Sequence, residues 1–153
     1  MNANFHLLPE AVATAGADSK SGVLSEVARL FASVYGVDET AILDGLEERE
    51  ALGSTGFGRG VAIPHARSAA VSRPTVVLLR LDHAVDFAAA DGMPVDLVFG
   101  LISPENAGAT HLHALAAISR LVRDDAMHEA LSEAPDTQAL YALITNQLDR
   151  DAA

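Results

Sequence analysis

The sequence contains no cysteine, and this absence narrows the chemistry that the chain can perform. Without cysteine there is no disulfide framework, no thiolate zinc site and no cysteine nucleophile. A chain without disulfides fits the reducing cytoplasm, which we therefore expect as its location. Any reactive group must come from the remaining side chains.

Basic residues are also scarce, because 10 Lys and Arg stand against 21 Asp and Glu for a net charge of -11. Nucleic-acid binding needs clustered Lys and Arg that displace counterions, so this charge argues against a nucleic-acid partner. The same charge disfavours binding to anionic membrane surfaces. We expect the partner to be a protein or a small molecule.

Long hydrophobic stretches are lacking as well. Runs such as Val76–Leu79 are far too short to cross a bilayer. The segment Met1–Leu8 lacks the basic start and the long apolar core of a signal peptide. We therefore expect no membrane insertion.

The length of 153 residues is typical of one domain with a sizeable core. Residues 1–18 are Ala-rich and weakly patterned, so we expect them to be partly ordered at most, with the domain over residues 19–150. The patterns predict helices over residues 19–36, 38–50, 110–124, 127–134 and 137–148, and strands over residues 61–63, 75–81 and 94–102.

Local signals mark the ends of several elements. Gly36 is the predicted stop of the first helix, and Asp38 and Thr110 are predicted N-caps of later helices. Two helices, a strand-rich middle and three further helices are typical of an α/β three-layer sandwich. The strands lie too close in sequence for every connection to be a helical crossover, so we predict a mixed, parallel and antiparallel, sheet.

A glycine-rich loop, Gly53–Gly60, precedes a short apolar run that ends at His65. Pro64 biases Ile63 towards extended backbone and fixes the approach to His65. A neutral imidazole is a competent nucleophile at pH 7, and free N–H groups of a nearby loop can hold an anion. His65 is therefore a candidate phosphoryl acceptor, and a loop histidine without a role is the alternative that position alone leaves open.

Other readings of the glycine loop find less support. The spacing of Gly56, Gly58 and Gly60 is not the G-x-G-x-x-G of dinucleotide folds, and the chain contains no P-loop sequence. Tight turning is the remaining alternative for the glycines. The chain contains neither a His-Glu-x-x-His motif nor a Gly-x-Ser-x-Gly elbow, so we predict no metal site and no serine nucleophile.

A second histidine, His111, lies near a helix start in line with the apolar Ile118 and Val122. Its neighbour His113 shares the solvated side with Arg120 instead. The positive end of the helix dipole favours a neutral imidazole at His111, which donates one hydrogen bond and accepts another. A capping or core histidine is the alternative.

Three parts of the chain carry a family resemblance. They are Arg49-Glu50 with Gly53–His65, Asp86-Phe87 with Asp91–Phe99, and Thr110–Leu115. Together they resemble the enzyme IIA domains of the fructose/mannitol class of the bacterial phosphoenolpyruvate-dependent phosphotransferase system (PTS). The resemblance covers roughly residues 20 to 148, nearly the whole chain.

Within that class the chain looks most like the stand-alone nitrogen-regulatory enzyme IIA proteins. The segments Pro104–Leu112 and Ala139–Ile144 also resemble that branch. Ala66-Arg67 departs from it, because nitrogen-branch proteins often have Gly-Lys there and sugar-class domains often have Ala-Arg or Ala-Lys. The sugar-specific alternative therefore stays open.

The resemblance implies a PTS enzyme IIA type 2 domain over residues 19–150, with a mixed sheet between helices. It implies that His65 accepts the phosphoryl group from the phosphohistidine of an HPr-like carrier. His111 then acts as a hydrogen-bond donor, and Arg49 offsets negative charge. The expected phosphate-binding loop comprises Ser54, Thr55, Gly56 and Gly58. No metal or cofactor is needed, because phosphohistidine is already an activated donor.

Two functions follow from the resemblance. The first is a regulatory phosphocarrier whose phosphorylation state controls targets such as sensor kinases or potassium transporters. The alternative is a fructose- or mannitol-class component that passes phosphate to a separate IIB protein. A binding module that no longer becomes phosphorylated is a third reading. The downstream target, the oligomeric state (weak self-association included) and the active phosphorylation state stay open at this stage.

Overall fold

The computed structural model describes residues 4–152, in which six strands form one sheet. The strands are β1 (Val12–Ala15), β2 (Gly56–Gly58), β3 (Val61–Ala62), β4 (His65–Arg67), β5 (Thr75–Val85) and β6 (Val95–Ser103). The helices are α1 (Lys20–Tyr35), α2 (Glu39–Ala51), α3 (Ala109–Arg123), α4 (Asp125–Glu133) and α5 (Thr137–Ala152), and a 3₁₀ turn (Pro9–Ala11) precedes β1.

The sheet is mixed, as the sequence predicts. Its strand order is β1-β5-β6-β3-β2, and β4 also pairs with β6. The pairs β5–β6 and β2–β3 are antiparallel, whereas β1 runs parallel to β5, and β3 and β4 run parallel to β6. Val61 of β3 pairs with Leu97 of β6, and His65 of β4 pairs with Leu101 farther along the same strand.

Alternate residues of the central strands enter two different cores. In β5, Val76 and Leu78 belong to one core, and Val77 and Leu79 belong to the other. Residues of α3, α4 and α5 complete the first core, and residues of α1 and α2 complete the second. Burial of each such side chain stabilises the fold by about 1.5–3 kcal/mol. The predicted three-layer α/β sandwich is confirmed.

Gly100, in the middle of β6, lets α1 pack directly on the sheet. A Cβ atom at this position would lie 2.6 Å from Val27 Cγ1 and 3.0 Å from Val77 Cγ2. Atoms at these separations overlap, so a larger residue would push α1 away from the strand. The lack of a side chain at Gly100 thus determines how closely α1 packs on the sheet.

The signals predicted for the first two helices are confirmed. Gly36 ends α1 in a left-handed conformation with φ of 72°. The Asp38 carboxylate caps α2 by accepting a hydrogen bond from the Thr40 N–H at 3.0 Å. The remaining predicted helices and strands are also present, and β5 continues beyond residue 81 to Val85.

The predicted cap of α3 is wrong. This helix begins at Ala109 after Gly108, and no side chain caps it. Thr110 lies inside the first turn, so its hydroxyl comes too late in the chain to act as the N-cap. The boundary shift leaves His111 within the first turn, where the sequence predicts it.

The expectation of a weakly ordered N-terminal segment is wrong for much of its length. β1 pairs in parallel with β5 from Val12 to Ala15, and Phe5 is buried in the core. The sequence pattern does not predict β1, because a strand of four residues, two of them Ala, is too short to show an alternation of apolar and polar side chains. The part of this prediction on residues 1–3 lies outside the described residues.

None of the helices within residues 4–152 combines the length and the apolar character that crossing a membrane requires.

Candidate functional site

The backbone presents His65 at the first position of β4. The Pro64 carbonyl accepts a hydrogen bond from the Leu101 N–H at 2.9 Å, although Pro64 itself has no N–H to donate. His65 then pairs with Leu101 in the parallel ladder with β6. The histidine is therefore attached to the sheet on one side while its side chain stays half-buried.

One ring nitrogen of His65 is engaged with the backbone. Its Nδ1 lies 2.7 Å from the Ile63 carbonyl oxygen. A carbonyl only accepts hydrogen bonds, so Nδ1 carries the hydrogen and donates it, and Nε2 of the neutral ring keeps a lone pair. The local backbone thus selects the tautomer of His65.

The surroundings of His65 favour its neutral form. Burial lowers the pKa of the ring, and the nearby Arg49 and Arg67 guanidinium groups lower it further. The hydrogen bond to the Ile63 carbonyl and the Glu50 carboxylate act in the opposite direction, but the pKa remains below its ordinary value. His65 is therefore uncharged at pH 7.

His111 lies beside His65, with the ring centroids 5.5 Å apart and an interplanar angle of 49°. Only 5% of His111 is exposed, which confirms the predicted inward orientation. Burial, then Arg67 and His65, lower the pKa of His111 to about 4. Its Nδ1 is 2.6 Å from the hydroxyl oxygen of Ser103. The second histidine is therefore also neutral at pH 7.

Two arginines lie in the same cleft as the histidines. Arg49, in the last turn of α2, donates to the Gly53 carbonyl at 2.9 Å. Arg67, which the sequence analysis did not select, donates to the Ala107 carbonyl. Both guanidinium groups are thus held by hydrogen bonds to loop carbonyls.

The cleft has a volume of about 420 Å³. Its lining residues are Gly45, Glu48, Arg49, Leu52, His65, Ala66, Arg67 and His111. Two arginines against one carboxylate give this cleft a positive balance on a protein whose net charge is -11. Guanidinium groups and imidazole N–H groups are suitable ligands for a phosphoryl group.

The four residues predicted as a phosphate-binding loop do not line this cleft. The Thr55 N–H donates to Glu50 Oε2 at 2.7 Å, and the Gly56 N–H donates to Ser54 Oγ at 3.0 Å. Gly58 lies at the end of β2 with φ of 104°. The N–H groups of Thr55 and Gly56 already have acceptors inside the protein, so phosphate binding by the loop stays a prediction that this geometry does not favour.

The loop instead supports His65 through a continuous set of hydrogen bonds. Glu50 accepts from the backbone N–H and, at 2.5 Å, from the hydroxyl of Thr55. The Thr55 carbonyl accepts from the Ile63 N–H at 3.0 Å, and the Ile63 carbonyl accepts from His65. Lys20 pairs with Glu50 at 2.7 Å. The glycine-rich loop thus connects helix α2 to His65.

Sequence reasoning missed the role of Glu50, which is 8% exposed. A signal was present, because Ile42, Leu46 and Glu50 recur every four residues on the buried side of α2. A carboxylate in such a stripe is rarely buried without a partner. Its three partners here are both donors of Thr55 and the ammonium group of Lys20.

Residues 4–152 contain no group of three or more His, Cys, Asp or Glu side chains arranged to hold a metal ion. The titratable side chains that line the cleft are two imidazoles, two guanidinium groups and the carboxylate of Glu48.

Comparisons with known proteins find relatives over most of the chain. A nitrogen regulatory protein of Bradyrhizobium diazoefficiens is 44% identical over 137 residues, which cover 89% of this chain and 90% of the relative. A PTS system fructose-specific EIIA component of Haloferax volcanii is 38% identical over 112 residues, 73% of each chain.

Solved structures have the same fold. The crystal structure of nitrogen regulatory protein IIA-Ntr from Neisseria meningitidis matches with a TM-score of 0.84 and 32% identity, covering 90% of this chain and 95% of that chain. A structure of Escherichia coli mannitol enzyme IIA in complex with phosphorylated mannitol enzyme IIB has a TM-score of 0.78. It covers 93% of this chain and 99% of that one, and at 18% identity it supports the fold alone.

The family model described as phosphoenolpyruvate-dependent sugar phosphotransferase system, EIIA 2, matches residues 7–147. This match includes both histidines, the two cleft arginines and all six strands. The chain therefore belongs to the EIIA 2 family of the phosphoenolpyruvate-dependent sugar phosphotransferase system.

Proposed function

We propose that this chain is a regulatory phosphocarrier that accepts a phosphoryl group on Nε2 of His65 from an HPr-like carrier protein. The observation that carries this proposal is the hydrogen bond from His65 Nδ1 to the Ile63 carbonyl. It leaves the Nε2 lone pair of a neutral ring at a cationic cleft that His111 also lines. A cytoplasmic setting is part of the same proposal.

The transfer is a displacement at phosphorus. The Nε2 lone pair of His65 forms the new P–N bond while the P–N bond of the carrier's phosphohistidine breaks. The electron pair of the broken bond stays on the carrier's imidazole. His65 keeps its Nδ1 hydrogen, and the Ile63 carbonyl stabilises the positive charge that the ring gains.

Charge on the phosphoryl oxygens is spread during transfer, and the protein stabilises it mainly by positioned donors. His111 donates a hydrogen bond to a phosphoryl oxygen, and Arg49 offsets negative charge. Arg67 adds a second guanidinium group to the same cleft. Phosphorylation therefore changes the charge and the hydrogen bonding of this surface together.

An exposed leucine in the lining of the cleft, and a second one next in sequence to His111, suit docking of a protein rather than a small anion. Leu52, which is 85% exposed, lines the cleft, and Leu112, which is 63% exposed, directly follows His111. Large apolar side chains at the surface contribute most when a partner covers them. A phosphocarrier protein or a target that covers the cleft buries Leu52 and brings its own group to His65.

The regulatory role rests on similarity to nitrogen regulatory proteins over most of both chains. Negative charge on His65 appears or disappears in the middle of the docking face, so binding of targets in the sensor-kinase or potassium-transporter class depends on the phosphorylation state. The second candidate is a sugar-pathway component that passes phosphate to a IIB protein, which the 38% identity to a fructose-specific component favours.

The test is phosphotransfer followed by intact mass. The protein is incubated with phosphoenolpyruvate, enzyme I and the HPr-like carrier, with and without a IIB protein. Gain of one phosphoryl group that is retained in the presence of IIB supports the regulatory role. Rapid loss of the group to IIB identifies the sugar-pathway role, and no gain with any carrier contradicts both.

A further inference from the structure

Ser103, the last residue of β6, contacts the ring of His111 from inside the protein. Its hydroxyl oxygen lies 2.6 Å from His111 Nδ1, and the serine is fully buried. Within the described part of the chain, the Ser103 hydroxyl has no other hydrogen-bond partner. The hydrogen of this hydroxyl therefore has one available acceptor.

The contact admits two arrangements, because a neutral imidazole has one donor and one acceptor nitrogen. If the Ser103 hydroxyl donates to Nδ1, then Nε2 of His111 carries the ring hydrogen. If Nδ1 donates to Ser103 Oγ, the hydroxyl hydrogen is left without an acceptor in a fully buried place, which costs free energy. In the first arrangement the Ser103 hydroxyl hydrogen and His111 Nδ1 both have a hydrogen-bond partner.

The other nitrogen of His111 is open to the cleft. Among residues 4–152, His128 Nε2 is the only buried side-chain nitrogen or oxygen atom that lacks a hydrogen-bond partner. His111 Nε2 makes no hydrogen bond within these residues either, so it must reach solvent in the cleft that His65 lines. A hydrogen on His111 Nε2 is thus accessible to a group that binds in the cleft.

We propose that Ser103 is a positioning residue whose hydroxyl donates to Nδ1 of His111 and thereby directs the Nε2 hydrogen into the cleft. The two rings then have opposite tautomers, because Nε2 of His65 offers a lone pair and Nε2 of His111 offers a hydrogen. Burial and Arg67, which keep His111 uncharged, maintain this difference at pH 7. The role of the phosphoryl group as ligand rests on the proposed function, whereas the tautomer does not.

The tautomer is measured on the unphosphorylated wild-type protein. Long-range ¹H–¹⁵N correlation spectra at pH 7 distinguish protonated from unprotonated ring nitrogens, and the His111→Gln spectrum assigns the His111 signals. We expect a protonated Nε2 and an unprotonated Nδ1 for His111, with the reverse for His65. A protonated Nδ1 on His111 overturns the proposal. A protonated Nε2 in a protein that accepts no phosphate leaves the Ser103 assignment standing and contradicts the proposed function.

The contribution to transfer is measured with Ser103→Ala. We expect phosphoryl acceptance to slow by about tenfold, because without the Ser103 hydroxyl the His111 ring no longer keeps its Nε2 hydrogen directed into the cleft. In the His111→Gln background, which has no ring to orient, the same substitution should change the rate by less than about twofold. Equal slowing in both backgrounds overturns the proposal, because it indicates a structural role alone.

Thr75→Val is the matched control for the loss of a buried hydroxyl. Thr75 is buried on the neighbouring strand β5, and its hydroxyl donates to the Arg73 carbonyl rather than to a histidine. We expect Thr75→Val to accept phosphate at the wild-type rate even if its stability decreases. Slowing equal to that of Ser103→Ala overturns the specific role of Ser103.

Discussion

The rings of His65 and His111 meet with their centroids 5.5 Å apart because one strand supports both. His65 pairs with Leu101 of β6, and two residues later Ser103 of the same strand contacts His111. A group bonded to His65 therefore lies within reach of a second imidazole whose position depends on the same backbone. Strand β6 thus brings two histidines that are far apart in the sequence into one site.

Replacing His111 tests whether the second imidazole acts in transfer. We expect His111→Ala to slow phosphoryl acceptance by about 10²-fold, because a positioned donor to the transferring group is lost. His113→Ala is the matched control, because His113 is an exposed residue of the same helix outside the cleft. Stopped-flow or quenched-flow mass measurements give both rates. Near-normal transfer in His111→Ala would assign this histidine to the core alone.

Arg49 is expected to contribute charge stabilisation. Arg49→Ala should slow acceptance by about tenfold or more, and Arg49→Lys should recover only part of that loss because it lacks the planar guanidinium fork. Arg120→Ala removes an exposed positive charge of α3 outside the cleft and serves as the control. Equal rates for Arg49→Ala and Arg120→Ala would show that Arg49 has no local role.

The buried His111 makes folding stability depend on pH. Its pKa is about 4 in the folded protein, against about 6.5 in an unfolded chain. Between these values the unfolded state binds more protons, so the free energy of unfolding falls as the pH decreases from about 6.5 towards 4. Above pH 6.5 this contribution is complete.

Urea unfolding of wild type and His111→Gln over this range measures the effect. The variant lacks the titrating ring, so its free energy of unfolding should depend less steeply on pH. Identical pH dependence in the two proteins would contradict the lowered pKa of His111.

Glu50 is expected to stabilise the loop that supports His65. Glu50→Ala leaves both donors of Thr55 without their acceptor and should lower the free energy of unfolding by about 2 kcal/mol. Glu47→Ala, at an exposed position of the same helix, should stay within about 0.5 kcal/mol of wild type. Chemical denaturation compares the two variants, and equal losses would remove the special role of Glu50.

The sequence predicts those features that depend on near neighbours. The stop at Gly36, the cap at Asp38 and the long strands β5 and β6 follow from residues within one or two turns or from continuous apolar runs. Strands β1, β2 and β4 each form only two to four residue pairs with an adjacent strand. Whether these short segments become strands therefore depends on pairing with other parts of the chain. Local patterns carry no such information.

The same distinction applies to the candidate site. The motif around His65 and the helical stripe through His111 are local, so the sequence alone predicts both histidines as site residues. The contribution of Glu50 and Arg67 depends on contacts with a loop and with the segment before α3, which the chain order does not reveal. The sequence favours phosphate binding by the glycine-rich loop because glycines leave N–H groups unshielded, whereas in the structure those of Thr55 and Gly56 have internal acceptors.

The most direct test of this account identifies the atom that carries the phosphoryl group. The protein is phosphorylated through phosphoenolpyruvate, enzyme I and the HPr-like carrier, and ¹⁵N and ³¹P NMR spectra then locate the new P–N bond. The hydrogen bond between His65 Nδ1 and the Ile63 carbonyl predicts phosphorylation of His65 on Nε2. Phosphate on Nδ1 of His65, or on any other residue, would contradict the account.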